Sequence, residues 1–120
     1  LSGKALIETS TMTAKIRAAV AACRDPATVI LARTDARGVH GFATAVDRAA
    51  AYVAAGADAI FPEALETRDE FAAFRREIKV PLIANMTEFC KSIGDTKIAT
   101  ALTFRAEAIQ KYFLPLMNTV

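Results

Sequence analysis

The chain has one histidine, two cysteines and almost no excess of charge, and each scarcity removes a class of function. Cys23 and Cys90 stand far apart in unrelated surroundings. That separation argues against a disulfide framework or a zinc site and fits reduced thiols. His40, alone, cannot build a histidine-rich metal centre. The 15 basic and 13 acidic residues are scattered to a net charge of +2, so no basic stripe is available to follow nucleic-acid phosphates. No apolar run approaches the roughly 20 residues that a bilayer crossing needs. The start, LSGKALIETS, lacks the charged-then-apolar layout of a signal peptide. A cytoplasmic setting is expected, with neither nucleic acid nor membrane as partner. Low-complexity linkers are missing too, which argues for a single domain over the 120 residues, 53% hydrophobic and 23% charged.

What is present is an alternation of two kinds of segment. Thr9 or Ser10 can cap a helix through about Ala22, with Met12, Ile16, Ala19 and Val20 on one face. Asp25-Pro26 breaks it, and Val29 to Ala32 reads as a short strand covered on both sides. A second helix is expected from about Ala43 to Ala55, with Ala43, Val46, Ala50 and Val53 inward, Asp47 and Arg48 outward, and Gly56 closing its end. Ala59 to Phe61 reads as a strand, Thr67 to Glu77 as a helix with Phe71 and Phe74 inward, and Val80 to Ala84 as a third strand. A possible fourth strand at Ile98 to Leu102 and a helix from about Phe104 to Leu114 complete the series.

Helices and strands alternating at this spacing signify parallel βα units. The chain is then either an open doubly wound sheet or part of a (β/α)8 barrel. The strand ends bear on the choice. The apolar run VILA passes straight into Arg33-Thr34-Asp35, the next strand into Pro62-Glu63, and the third into Asn85-Met86-Thr87. Any one of these tips could be a plain turn, since Asp, Asn and Thr are common there. Polar groups at the same end of three successive strands favour the barrel, whose chemistry collects at the strand C-termini. The expected fold class is therefore α/β: a partial (β/α)8 TIM barrel.

The tips ARTDA, IFPEA and PLIANMTEF, preceded by GKALIE, resemble the isocitrate lyase and phosphoenolpyruvate mutase superfamily, and its 2-methylisocitrate lyases most of all. The likeness runs from Gly3 to Phe89, and residues 90–120 diverge. The resemblance implies Mg2+ as cofactor, a small di- or tricarboxylate substrate and a homo-oligomer. It makes Arg33 a substrate-carboxylate binder, Glu63 the strand-end glutamate of the site, and Asn85 and Thr87 the N-x-T pair on a second carboxylate. KIATAL followed by TFRA adds Arg105 as a second carboxylate-binding arginine. Such groups suit the task. A guanidinium grips a carboxylate in two places, and amide and hydroxyl donors orient the other end.

In that superfamily the lysine-cysteine-glycine-histidine loop and the Mg2+-binding aspartates precede the GKALIE segment. The chain is accordingly expected to be the C-terminal half of a barrel, with no catalytic or metal-ligating residue of its own. The expected activity is that of a carbon–carbon lyase splitting 2-methylisocitrate into pyruvate and succinate, silent in this chain by itself. The alternatives are a non-catalytic half-barrel that needs a partner chain, and a related oxaloacetate decarboxylase or phosphoenolpyruvate mutase. Cys23, Cys90 and His40 are expected to be ordinary surface or structural groups.

Overall fold

Asp58 decides where the first strand begins. Its backbone N–H donates to the Ile30 carbonyl at 2.9 Å and its side-chain Oδ2 accepts from the Ile30 N–H at 2.8 Å. Both polar groups of Ile30 are thus satisfied by one residue, and the ladder starts after it. The strand is β1, Leu31–Thr34, two residues later than the apolar run suggests, and Val29 lies exposed. The shift corrects the expected Val29 to Ala32 strand and places Arg33 and Thr34 inside the ladder rather than beyond it.

The computed structural model describes residues 3–84. Helix α1 (Thr9–Ala22) is followed by β1, a short helix α2 (Ala36–His40), helix α3 (Phe42–Ala54), strand β2 (Ala59–Pro62) and helix α4 (Arg68–Glu77). β1 and β2 pair in parallel with Leu31 opposite Ala59 and Thr34 opposite Pro62. Leu82 then bridges Ile60 in parallel, with the Ile60 N–H on the Pro81 carbonyl at 3.0 Å and the Ile83 N–H on the Ile60 carbonyl at 2.9 Å. The expected third strand is therefore present as this bridge on the far side of β2. The expected fourth strand and closing helix lie outside the described residues.

The helix caps were only partly as expected. α1 starts at Thr9 with Glu8 in the capping position, and no side chain caps it. α4 is capped by Thr67, whose hydroxyl accepts from the Glu70 N–H at 3.1 Å. The α3 terminus follows the glycine rule. Gly56 sits at φ 107, its N–H reaches the Val53 carbonyl at 2.9 Å, and the Ala57 N–H reaches Tyr52 at 3.0 Å.

The buried core gathers Ile16 of α1, Ala32 of β1, Ala45, Ala49 and Tyr52 of α3, Ile60 of β2, and Phe71 and Phe74 of α4. Phe74, fully buried, meets the Phe42 ring edge-on at 6.1 Å. The inward stripe of α3 is rotated from the expected one. Ala43 and Ala50 are exposed, Val46 and Val53 only flank the core, and Arg48 is buried. The alternative stripe, Ala45, Arg48, Ala49 and Tyr52, has the same three-and-four spacing. It wins because two alanines let the helix sit close to the sheet while Arg48 finds hydrogen-bond partners.

Candidate functional site

Three strand tips were expected to carry polar groups toward a common place, and the first two do. Side chains alternate along β1, so Ala32 and Thr34 are buried while Arg33 turns to the open face. Arg33 is Cα partner to Phe61 across the parallel ladder, and its guanidinium lies over that ring at 5.4 Å. Asp35, two residues on, shares its face. Arg33 Nε donates to Asp35 Oδ2 at 2.9 Å and Nη2 to Oδ1 at 3.0 Å, a two-pronged pair. Lys4, arriving from the segment before α1, makes a second ion pair with Asp35 Oδ1.

Glu63 completes the cluster from β2. Its N–H donates to the Thr34 carbonyl at 2.9 Å, carrying the ladder one residue past the strand. Ala64 behind it adopts the left-handed φ of 65, uncommon for a residue with a Cβ. The turn brings Glu63 Oε2 to 3.5 Å from Arg33 Nη2. That is an ion pair but no hydrogen bond, and the buried Oε2 has no hydrogen-bond partner among the described residues. A buried carboxylate oxygen left open in this way is costly unless something else fills its valence.

The charges are arranged to stay ionised. Arg33's hydrogen bonds hold the Asp35 carboxyl down from 3.8 to about 2, against the opposing cost of burial and with help from Lys4. Arg33 in turn is raised above its usual value, chiefly by its hydrogen bonds to Asp35. Its side chain remains half exposed, and Nη1 makes no hydrogen bond among the described residues. The cluster borders a cleft of about 200 Å³ whose lining includes Lys4, Leu6, Arg33, Asp35, Arg48 and Tyr52.

Of the expected site residues, then, Arg33 and Glu63 are brought together, while Asn85, Thr87 and Arg105 lie outside the described residues. His40 is exposed at the end of α2, and Cys23 is an exposed free thiol just past α1. Sequence reasoning named Asp35 among the polar groups of the first tip without giving it a role in the site, and missed Lys4. Asp35 was readable, since positions i and i+2 of a strand share a face; Lys4 is 31 residues away in sequence and carried no such signal.

The described residues do not fit a Mg2+ ion by themselves. Among them no group of three or more His, Cys, Asp or Glu side chains could hold a metal. Asp35 is committed to Arg33 and Lys4, which leaves the Glu63 carboxylate as the one acidic group of the cluster not held by a hydrogen bond among these residues. No helix among the described residues is long and apolar enough to cross a membrane.

The phosphoenolpyruvate phosphomutase family pattern matches residues 1–105. A 2-methylisocitrate lyase from Aeropyrum pernix is 53% identical over 115 residues, taking in 96% of this chain and 35% of that enzyme. The chain thus spans about a third of the length of the curated relatives it matches. Among solved structures, phosphonopyruvate hydrolase superposes with a TM-score of 0.68 at 31% identity, covering 93% of this chain and 43% of its own. A phosphonopyruvate hydrolase in complex with oxalate and Mg++ gives 0.59 at 28% identity, over 96% of this chain and 52% of its own. 2,3-Dimethylmalate lyase, a PEP mutase/isocitrate lyase superfamily member, gives 0.62 at 28% identity, over 92% of this chain and 46% of its own. With its parallel strands and alternating helices, the chain belongs to the phosphoenolpyruvate phosphomutase and isocitrate lyase family and folds as part of that family's (β/α)8 barrel.

Proposed function

We propose that this chain is one part of a carbon–carbon lyase of the 2-methylisocitrate lyase type, which splits 2-methylisocitrate into pyruvate and succinate. In this reading residues 1–120 form a single domain and contribute the C-terminal half of the barrel. The observation that carries it is the occupied fork of Arg33. A carboxylate, that of Asp35, already sits on Nε and Nη2 in the two-pronged geometry that a substrate carboxylate would take. Nη1 and the half-exposed guanidinium edge remain available to a second carboxylate arriving through the cleft. Arg33 thus binds and orients one end of the substrate, and Lys4 and Asp35 keep the guanidinium from swinging away. Glu63 would anchor the arginine from the β2 side, and Asn85, Thr87 and Arg105 would hold the remaining carboxylates. Mg2+ belongs to this reading as the cofactor of the completed barrel, with ligands from outside the described residues, which do not themselves hold it. The working enzyme is read as a cytoplasmic homo-oligomer acting on small carboxylates, with no nucleic-acid or membrane partner.

A chimera tests this. Residues 1–105 would replace the matching segment of the Aeropyrum pernix relative, and pyruvate release from 2-methylisocitrate would be followed with Mg2+ present. Turnover within about tenfold of the parent, a barrier change of about 1.4 kcal/mol, is the expected result. A folded chimera that acts only on oxaloacetate or phosphonopyruvate would assign the segment to another branch of the family. A folded chimera inert toward all three would favour a non-catalytic half-barrel.

A further inference from the structure

Arg48 is the one charged residue that is buried among the described residues. It lies on α3 between Asp47 and Ala49, where an outward charge was expected, yet it is 8% exposed. None of the ion pairs among the described residues involves it. A buried guanidinium without a counter-charge is unfavourable unless its donors are spent on well-placed acceptors. Here Nε donates to the Tyr52 hydroxyl at 3.0 Å and Nη2 to the backbone carbonyl of Ile7 at 2.5 Å. Tyr52, four residues along α3, lies with its ring centroid 5.9 Å from the guanidinium carbon, which offsets part of the burial cost.

The partner on the other side of that contact is telling. Ile7 belongs to the run before α1, which is neither helix nor strand. Ile7 is 46% exposed, and its backbone carbonyl is the group that Arg48 holds. Leu6 packs partly against the core, and Lys4 reaches Asp35. Lys4 and Ile7 are three residues apart, at most about 11 Å of extended chain. Fixing the Ile7 carbonyl therefore restricts where the Lys4 ammonium can go.

We infer that Arg48 is a positioning residue for the strand-tip site: by holding the Ile7 carbonyl it fixes the segment that delivers Lys4 to Asp35, and so sets how firmly Asp35 occupies Arg33. Arg48 itself touches neither Asp35 nor Arg33 through any hydrogen bond or ion pair among the described residues. A fork is required, because a lysine ammonium at this place cannot serve Tyr52 and Ile7 with the same rigid geometry. The inference rests on the lyase reading only in treating the Lys4, Asp35 and Arg33 cluster as a site.

The test uses the chain itself and needs no turnover. The Asp35 carboxyl is titrated by carbon NMR in the wild type, in Lys4→Met, in Arg48→Met and in the double variant. Lys4→Met should move the Asp35 midpoint up from about 2 toward the ordinary 3.8. Arg48→Met should move it the same way by a comparable amount, and in the Lys4→Met background it should add nothing. Arg48→Lys, which keeps the charge, should also raise the midpoint; it carries the same cycle should Arg48→Met fail to fold. Tyr52→Phe should cause a smaller rise. An unmoved midpoint in folded Arg48→Met and Arg48→Lys, or a rise of equal size with and without Lys4, would overturn the inference. An inactive chimera would count against the lyase reading and leave this cycle untouched.

Discussion

Arg33 and Asp35 stand two residues apart on one strand tip and close on each other through two hydrogen bonds of 2.9 and 3.0 Å. The pair joins a strand inside the ladder to the turn that follows it, and it also fills the group that the proposed function needs for substrate. Scaffold and site therefore share the same atoms, and their contributions separate only through experiments that vary one at a time.

Asp35→Asn removes the charge and keeps the shape. Because the folded-state carboxyl is held below its unfolded value, from 3.8 down to about 2, its stabilisation is fully present above about pH 4 and is lost as pH falls through about 2. The variant should be less stable than the wild type by on the order of 1 kcal/mol at pH 7, modest because the pair is partly solvated. That gap should close on acidification toward pH 2. Urea melts of both proteins across this range check it; a gap that stays constant with pH would mean the lost contact is steric and not ionic.

How much of this was legible beforehand follows from range in sequence. Local signals held: Gly56 after a helix, Phe71 and Phe74 on one face of α4, and the alternation that makes parallel strands. The β1 boundary was misplaced because Asp58, 28 residues downstream of Ile30, terminates the apolar run at its other end. The stripe of α3 was misread because a 3.6 period fits two sets of alanines equally well, and the choice rests on partners for Arg48 that come from Tyr52 and from Ile7, 41 residues upstream. α2 was not anticipated between the first strand and the Ala43 helix, since nothing in ARGVH marks five helical residues until Arg37 can reach Glu66 and Glu70. In the site, Arg33 and Glu63 stood out as polar groups after apolar runs, whereas Lys4 becomes a neighbour only through the fold.

Gly56 and Ala64 invite opposite substitutions. Both hold a left-handed backbone, at φ 107 and φ 65. A Cβ on Gly56 would also stand 2.9 Å from Val20 Cγ2. Gly56→Ala should cost more than about 1 kcal/mol, and adding Val20→Ala should recover only the steric share, because the backbone strain remains. Ala64→Gly should change stability by less than about 1 kcal/mol, as relieved strain offsets the freedom gained by the unfolded chain. Thermal melts of the three variants check these values; a Gly56→Ala protein as stable as the wild type would show that the α3 terminus can re-form without a glycine.

Arg37 ties α2 to the start of α4 through Glu70 at 2.8 Å and Glu66 at 3.2 Å. Its side chain is 22% exposed, so the network is only partly screened by solvent. Arg37→Met should lower stability by about 0.5–1 kcal/mol at low ionic strength. The difference from wild type should shrink at ~1 M salt, where the Debye length falls to about 3 Å. Paired melts at the two salt concentrations decide the matter, and a loss that ignores salt would assign Arg37 to packing by its aliphatic stem.

Arg33→Lys separates site from scaffold. An ammonium keeps the charge but cannot reproduce the fork on Asp35, nor spread a planar guanidinium over Phe61, whose ring centroid lies 5.4 Å from the guanidinium carbon. In the chain itself the variant should lose up to about 1 kcal/mol of stability, since the side chain is half exposed and the pair is solvated. In the active chimera, substrate binding should weaken by about 1.5–3 kcal/mol, the range for a hydrogen bond to a charged group. Arg76→Lys on the exposed face of α4 is the control and should be silent in both measurements. If Arg33→Lys lowers stability but leaves substrate affinity at the wild-type value, the bidentate contact to Asp35 is a tie between strand and turn, and the carboxylate grip must be sought elsewhere at the strand tips.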